Sequence, residues 1–367
     1  MVSKSNNFFS RNWLRINATF ALLLSLLADF FVPEQFLRDS KYYDQLISSS
    51  VTGYTGPINL IENIYSFIGV NTSGLFLRIL STIIFIFNVY LMSRFMQLKF
   101  STIPQYVIFP FSFLLIPFYG SGYSKELIVA IANIIIILIL NKYKYFQYLY
   151  IPFLSTLIGL TLRPYYFLTL LFFIIIYQIF KYVRFSLTRI LILHLLFSTL
   201  MTLEYKFKIV LTSTGYDLLN IRSNAQSALG MVARSNIEHS AYNGNFFHNV
   251  TVFTQITKSM IFPYDEFTWS PYIILASGIN TMVWVILLKC LTVQFSKTKN
   301  MIYHIAIFLL SFTLTAEIFE VDAGSFVRHF FPYLAFGSII IGLDRNKHLL
   351  LKNSNTILRN PNRRIDN

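Results

Sequence analysis

Apolar residues in this chain fall into long unbroken runs instead of alternating with polar ones. The runs cover roughly residues 16–32, 74–93, 102–119, 126–141, 148–162, 165–180, 189–203, 272–293, 301–317 and 329–343. They are rich in Phe, Ile, Leu and Tyr, and few are amphipathic. A helix rises about 1.5 Å per residue, so about 20 apolar residues cross ~30 Å of hydrocarbon. Apolarity all round the helix is what lipid demands of a solvated surface, whereas water demands one polar face. The pattern therefore predicts an all-α polytopic membrane protein of about ten transmembrane helices. It forms one integral domain over residues 1–352, with a basic cytoplasmic tail at 353–367. Lys4, Arg11 and Arg15 precede the first run, as in a signal peptide. No A-x-A cleavage site follows and many further runs do, so a retained first helix is expected.

Between the runs lie polar segments of unequal length. The first long one, about 33–73, holds R-D-S-K-Y-Y-D (Arg38 to Asp44), then the turn signal G-Y-T-G-P (Gly53 to Pro57). Residues 58–70 follow with the spacing of a helix lying in the membrane interface. Short turns are expected around 119–126, 161–166 and 320–329. The segment from Glu204 to Pro271 is the longest that could not sit in a bilayer. It is expected to be one long extracytoplasmic loop roofing a site.

Composition and charge agree with this picture. Hydrophobic residues make up 55% of the chain and charged ones 13%, against roughly 25% charged in soluble domains. The net charge of +14 would suit nucleic acid if the cations formed a patch, but they do not. Threading the segments alternately puts Lys4, Arg11, Arg15, Arg94, Lys99, Lys142, Lys144, Lys181, Arg184, Arg189, Lys289, Lys297, Lys299 and the basic tail on one side. Only Asp344 and Asp366 accompany them there. That asymmetry is the positive-inside rule, with both termini cytoplasmic, and it removes nucleic acid as a partner. The acids, mixed with fewer cations, gather on the outer face, so chemistry is expected to be extracytoplasmic. The single cysteine, Cys290, excludes a disulfide framework and a cysteine-cluster metal site, and it reads as an apolar filler.

Several outer residues are candidates for chemistry. Lys125 and Glu126 open a helix, either as an interfacial pair or as charges lining an outward cavity. Gly120, Gly122 and Lys125 miss the spacing of a phosphate-binding loop. Arg163 precedes Pro164, which holds it extended at a helix rim, where a guanidinium suits an oxyanion. Asp322, Arg328 and His329 offer an acid, an oxyanion binder and a base within one short turn, with Arg328 and His329 expected at the N-terminus of the last helix. Arg222 and Arg234 flank the small-residue stretch A-Q-S-A-L-G-M-V-A, which could pack on the bundle. His239 and His248 sit in the same loop, and both read more plainly as solvated. His194 and His304 read as structural. No H-E-x-x-H, C-x-x-C or EF-hand pattern occurs.

Four short motifs carry a resemblance. D-S-x-x-Y (Asp39 to Tyr43) looks like the first-loop acidic motif of integral-membrane glycosyltransferases of the GT-C type. S-K-E (Ser124 to Glu126) is similar to the polar start of a central helix in such proteins. L-R-P-Y (Leu162 to Tyr165) and D-A-G-S-F-V-R-H-F-F-P (Asp322 to Pro332) resemble arginine-bearing rims of polysaccharide polymerases. The layout most resembles the Wzy-type O-antigen and capsule polymerases. The arginine-glycine spacings differ from the paired motifs of such polymerases, and no large soluble C-terminal domain follows the helices.

The resemblance implies transfer of a sugar or oligosaccharide from a polyprenyl-phosphate or polyprenyl-diphosphate donor to an acceptor hydroxyl, in surface-polysaccharide assembly at the bacterial inner membrane. Arg163, Arg222, Arg234, Arg328 and Lys125 would then meet the diphosphate, whose negative charge grows as it leaves. Asp39 would be the base, with Asp322 and His329 in reserve. Asp44, Glu126 and His239 complete the candidate set. A metal-free site is expected, although Asp39 and Asp44 could hold a hard divalent cation. Expected partners are the lipid-linked glycan donor and acceptor, the bilayer, and other polysaccharide-assembly proteins. A lipid-linked oligosaccharide flippase or other transporter is the alternative. A non-enzymatic membrane subunit is a third reading.

Overall fold

A computed structural model describes residues 2–32, 74–95, 103–120, 124–142, 149–161, 165–207, 242–261, 271–293, 300–319 and 323–341. Every regular element among them is helical. In chain order they are α1 (Val2–Leu26), the single turn α2 (Ala28–Phe31), α3 (Gly74–Phe95), α4 (Ile103–Leu114), α5 (Lys125–Lys142), α6 (Tyr150–Thr161) and α7 (Tyr166–Tyr182). There follow α8 (Ser186–Phe207), α9 (Phe246–Ile261), α10 (Pro271–Thr292), α11 (Asn300–Phe319), α12 (Ala323–Phe330) and α13 (Leu334–Ile341). A π-turn (Ile116–Gly120) extends α4, and a 3-10 turn (Phe331–Tyr333) joins α12 to α13.

The described part of each apolar run is almost wholly helical. Among the described residues, three helices are long and apolar enough to cross a membrane: Leu75–Phe95, Ser186–Lys206 and Met301–Ile318. The other runs are shorter or interrupted, and proline stands at two interruptions. Pro117, which has no N–H to donate, is the second residue of the π-turn, and Tyr119 N within it donates to Leu115 O at 3.0 Å. Pro332 lies in the 3-10 turn that divides the last run.

The segment 204–271 differs from a continuous loop. Glu204 is still within α8, and α9 is an amphipathic helix laid against α8. Its buried positions are Asn249, Val252, Phe253 and Ile256, the i, i+3, i+4, i+7 spacing of one face. The polar residues between those positions mask the periodicity in the sequence. Asn245 caps the start of α9, accepting from Phe247 N at 3.0 Å.

Helix α11 is the buried axis of the bundle, enclosed from Tyr303 to Ile318. It packs against α7 and α10, with α9 and α13 in further contact, while α3, α5, α1 and α4 form the other flank. Close approach demands glycine at one crossing: a Cβ on Gly337 of α13 would lie 2.4 Å from Ile286 Cδ1 of α10. The outward faces are apolar stripes. Ile16, Phe20, Leu23 and Leu27 lie exposed along α1; Phe153, Leu157 and Leu160 along α6; Phe167, Leu171 and Ile174 along α7; Leu187, Leu191 and Leu195 along α8. Polar side chains, by contrast, lie inside, including Asn88, Asn133, Thr169, Ser311 and Thr315.

Arg189 ties one end of the bundle together. It is 1% exposed, yet it comes from the first turn of α8. Its Nε donates to Val183 O at 2.8 Å, and Nη1 donates to Leu291 O at 2.7 Å and Val293 O at 2.6 Å. Nη2 donates to Phe180 O at 3.3 Å, and the guanidinium lies 4.2 Å over the Phe180 ring. The carbonyls at the ends of α7 and α10 have no helical N–H to accept, so one planar cation caps both.

Candidate functional site

The described candidate residues converge on the segment that runs from α12 into the 3-10 turn. Ser124 starts α5 as an N-cap, its Oγ accepting from Leu127 N at 3.1 Å. Glu126 follows in the first turn, where the helix dipole favours a carboxylate. Its side chain is only 1% exposed. Burial of a carboxylate is costly unless it is paired, and α12 brings a guanidinium and an imidazole to it. Arg328 Nε lies 3.8 Å from Glu126 Oε1, and His329 Nε2 lies 3.4 Å from the same oxygen. Arg328 keeps 31% of its side chain exposed, while His329 keeps 10%. The cluster is thus a sunken carboxylate roofed by a half-open guanidinium and a nearly closed imidazole. Lys125, next to Glu126, is half-buried.

Arg328 and His329 occupy the last turn of α12, not the N-terminus of the final helix. The break at Pro332 is the reason: the last apolar run is two short helices, and the basic pair falls before the break. A cation at a helix C-terminus is favoured by the dipole, so Arg328 complements α12 as well as Glu126.

Aromatic and amide contacts fix this segment. Phe331 packs on Phe85 of α3 at 4.9 Å between ring centroids and on Tyr119 of the π-turn at 6.2 Å. The hydroxyls of Tyr166, at the start of α7, and Tyr333 meet at 3.1 Å. One turn deeper, Thr169 Oγ1 donates to Thr315 Oγ1 at 3.0 Å. Asn88 Nδ2 donates to Pro332 O at 3.4 Å, and Asn133 Nδ2 donates to Asn88 Oδ1 at 2.9 Å. The Tyr150 hydroxyl closes this chain on Asn133 Oδ1. Four elements are thereby tied in sequence by a fully buried amide ladder, from α6 through α5 and α3 to the 3-10 turn.

Of the candidates named from sequence, Glu126, Arg328 and His329 come together, with Lys125 adjacent. Asp39, Asp44, Arg163, Arg222, Arg234, His239 and Asp322 lie outside the described residues, as do the segment 58–70 and the tail. Among the described residues there is no group of three or more His, Cys, Asp or Glu able to hold a metal ion. His194 is held through its Nδ1, 3.1 Å from Ile190 O, and His304 stacks on Tyr177 at 5.2 Å, both structural placements. Cys290 is fully buried.

Sequence reasoning passed over Asn88, Asn133 and Tyr150. Their signal was present: an asparagine amid Ile, Phe and Val is expensive in an apolar helix, and it persists where a partner waits. Glu204 and Glu317 were also passed over. Both are buried inside long helices, and Thr257 Oγ1 of α9 donates to Glu317 Oε1 at 3.4 Å.

No family model, curated protein or solved structure matches this chain.

Proposed function

We propose that the chain is a polytopic protein of the bacterial inner membrane, with about ten spans and both termini cytoplasmic. We propose further that it transfers a sugar or oligosaccharide repeat unit from a polyprenyl-linked donor to an acceptor hydroxyl at the outer face. The membrane part of the reading is supported by the inverted surface. A fully exposed Leu, Ile or Phe forgoes about 1.5–3 kcal/mol in water, and stripes of them run along α1, α6, α7 and α8. Lipid removes that cost. Arg94, Lys142, Lys181 and Lys289, in the last turns of α3, α5, α7 and α10, match the inner ends expected from loop charge.

The observation that carries the transferase reading is the cluster of Glu126, Arg328 and His329 at the helix ends assigned to the outer face. Transfer from a diphosphate needs a cation where negative charge develops and a base beside the acceptor hydroxyl. Arg328, with Lys125, Arg163, Arg222 and Arg234 as further cations, serves the first need. Asp39, Asp322 and His329 are the bases to test for the second. The apolar flanks of the bundle suit a polyprenyl tail.

One observation favours the alternative, a lipid-linked oligosaccharide flippase or other transporter. Glu204 and Glu317 are buried near the ends of helices long enough to span, and a buried carboxylate in a spanning helix is a candidate for an ion or proton pathway.

Deleting the gene in its host and resolving the lipid-linked and surface glycans on a gel separates these readings. Loss of a polymerase leaves single repeat units at the surface, loss of a single-sugar transferase truncates the unit, and loss of a flippase traps units inside. An unchanged glycan profile overturns the proposal.

A further inference from the structure

We infer that His329 is the base that accepts the proton of the acceptor hydroxyl, and that Glu126 is the positioning residue that holds it. This rests on the transferase reading and assigns the roles within that site.

Three features of the cluster lead there. The first is distance: His329 Nε2 is 3.4 Å from Glu126 Oε1. A hydrogen on Nε2 facing the carboxylate leaves the basic lone pair of the imidazole on Nδ1, since a neutral ring carries one donor and one acceptor. Glu126 thereby selects the tautomer as well as the ring orientation. The second is charge. Arg328 sets its guanidinium 3.8 Å from the same carboxylate oxygen, and the neutral imidazole is the form of His329 that the inferred step requires. A proton gained there during transfer is stabilised by the carboxylate beside it. The third is rigidity. Glu126 is fixed by the capped first turn of α5. His329 is fixed by the buried Phe330 and Phe331 and by the Asn88 bond to Pro332. A base held on both sides needs little reorganisation on the way to the transition state.

The acceptor O–H bond breaks and its proton passes to His329 Nδ1. The acceptor oxygen forms the new bond to the anomeric carbon. The bond from that carbon to the phosphate oxygen breaks, and its electron pair leaves with the polyprenyl phosphate or diphosphate, next to Arg328.

The test complements the deletion strain with variants of the full-length protein and measures surface polymer together with protein amount in the membrane. His329→Gln keeps an N–H donor toward Glu126 but carries no basic nitrogen, so the buried pair of Glu126 and Arg328 survives. It is expected to accumulate normally and to lose polymer by about 100-fold or more. Glu126→Gln is expected to lose a comparable amount, while Glu126→Asp, which keeps the charge, restores part of it. A purely structural Glu126 would instead show lowered protein amount, with polymer per molecule unchanged. If Glu126→Gln fails to accumulate, His329→Gln decides alone. Wild-type polymer from His329→Gln, or from an accumulated Glu126→Gln, overturns the assignment. The deletion strain reports separately on the transferase reading, because a glycan profile that never depended on the gene rejects that reading before any variant is made.

Discussion

Glu126 and His329, from the two halves of the chain, place a carboxylate oxygen 3.4 Å from an imidazole nitrogen in an almost closed site. Arg328 completes the arrangement from the same turn of α12. Removing Arg328 takes the guanidinium from beside the buried carboxylate, and weakening a buried charged group costs about 1–3 kcal/mol. Arg328→Ala is therefore expected to lower the unfolding temperature in detergent. Adding Glu126→Gln to it should recover part of the loss, because the buried charge is then gone. Equal unfolding temperatures for wild type and Arg328→Ala would show that the pair contributes nothing to stability.

Arg189 makes a sharper prediction, because it is 1% exposed and serves carbonyls at the ends of two helices. Arg189→Ala is expected to cost about 3 kcal/mol or more, from several buried acceptors at roughly 1–3 kcal/mol each. Arg189→Lys keeps the charge but not the planar fork, and it should recover less than half of that. Thermal unfolding of the purified protein followed by tryptophan fluorescence measures both. A lysine variant as stable as wild type would reduce Arg189 to a topology signal.

Gly337 sets the distance between α13 and α10. A methyl group there would lie 2.4 Å from Ile286 Cδ1, and overpacking of this kind typically costs about 1–3 kcal/mol. Gly337→Ala is expected to destabilise by that order. Ile286→Ala in the same molecule should restore stability beyond the sum of the single changes. Simple additivity in the double-mutant cycle would mean that the helices part instead of clashing.

The amide ladder is testable by a smaller change. Tyr150→Phe removes the donor to Asn133 Oδ1 and leaves a buried acceptor, for a loss of about 1 kcal/mol. Replacing Asn88 by Leu removes the contact to Pro332 as well. It is expected to reduce polymer through displacement of His329, at unchanged protein amount. Polymer at wild-type level from Asn88→Leu would separate the ladder from the site.

Orientation can be read chemically, since the native Cys290 is fully buried and silent to maleimides. A membrane-impermeant maleimide applied to whole cells is expected to label Lys125→Cys. Arg184→Cys, exposed at the opposite end of the bundle, should react only after the membrane is opened. The reverse pattern would turn the site toward the cytoplasm and overturn the extracytoplasmic reading.

What sequence alone determined is the helical class and the approximate place of each helix. Long apolar runs and their flanking cations are local properties of the chain, legible one helix at a time. Pro117 and Pro332 stand where helix type changes, whereas Pro110 lies inside α4 without ending it, so a proline alone does not decide where a run divides. The tertiary structure decided which residues meet. Arg189 looked like one more inner cation until α7, α8 and α10 closed around it as acceptors. Asn88 and Asn133 looked like stray polar residues until α3 lay against α5. Lys125 and Glu126 read equally well as a surface pair or as cavity charges. Only the arrival of α12 set a guanidinium and an imidazole beside Glu126 and left it buried. Arg328 and His329 changed helix end because the 3-10 turn at Pro332 divided a run that composition shows as continuous. Partner choice depends on how helices far apart in the chain cross, and hydrophobic periodicity carries no information on that. For Glu126 and His329, the chain supplied a carboxylate and an imidazole, and packing alone brought them to 3.4 Å.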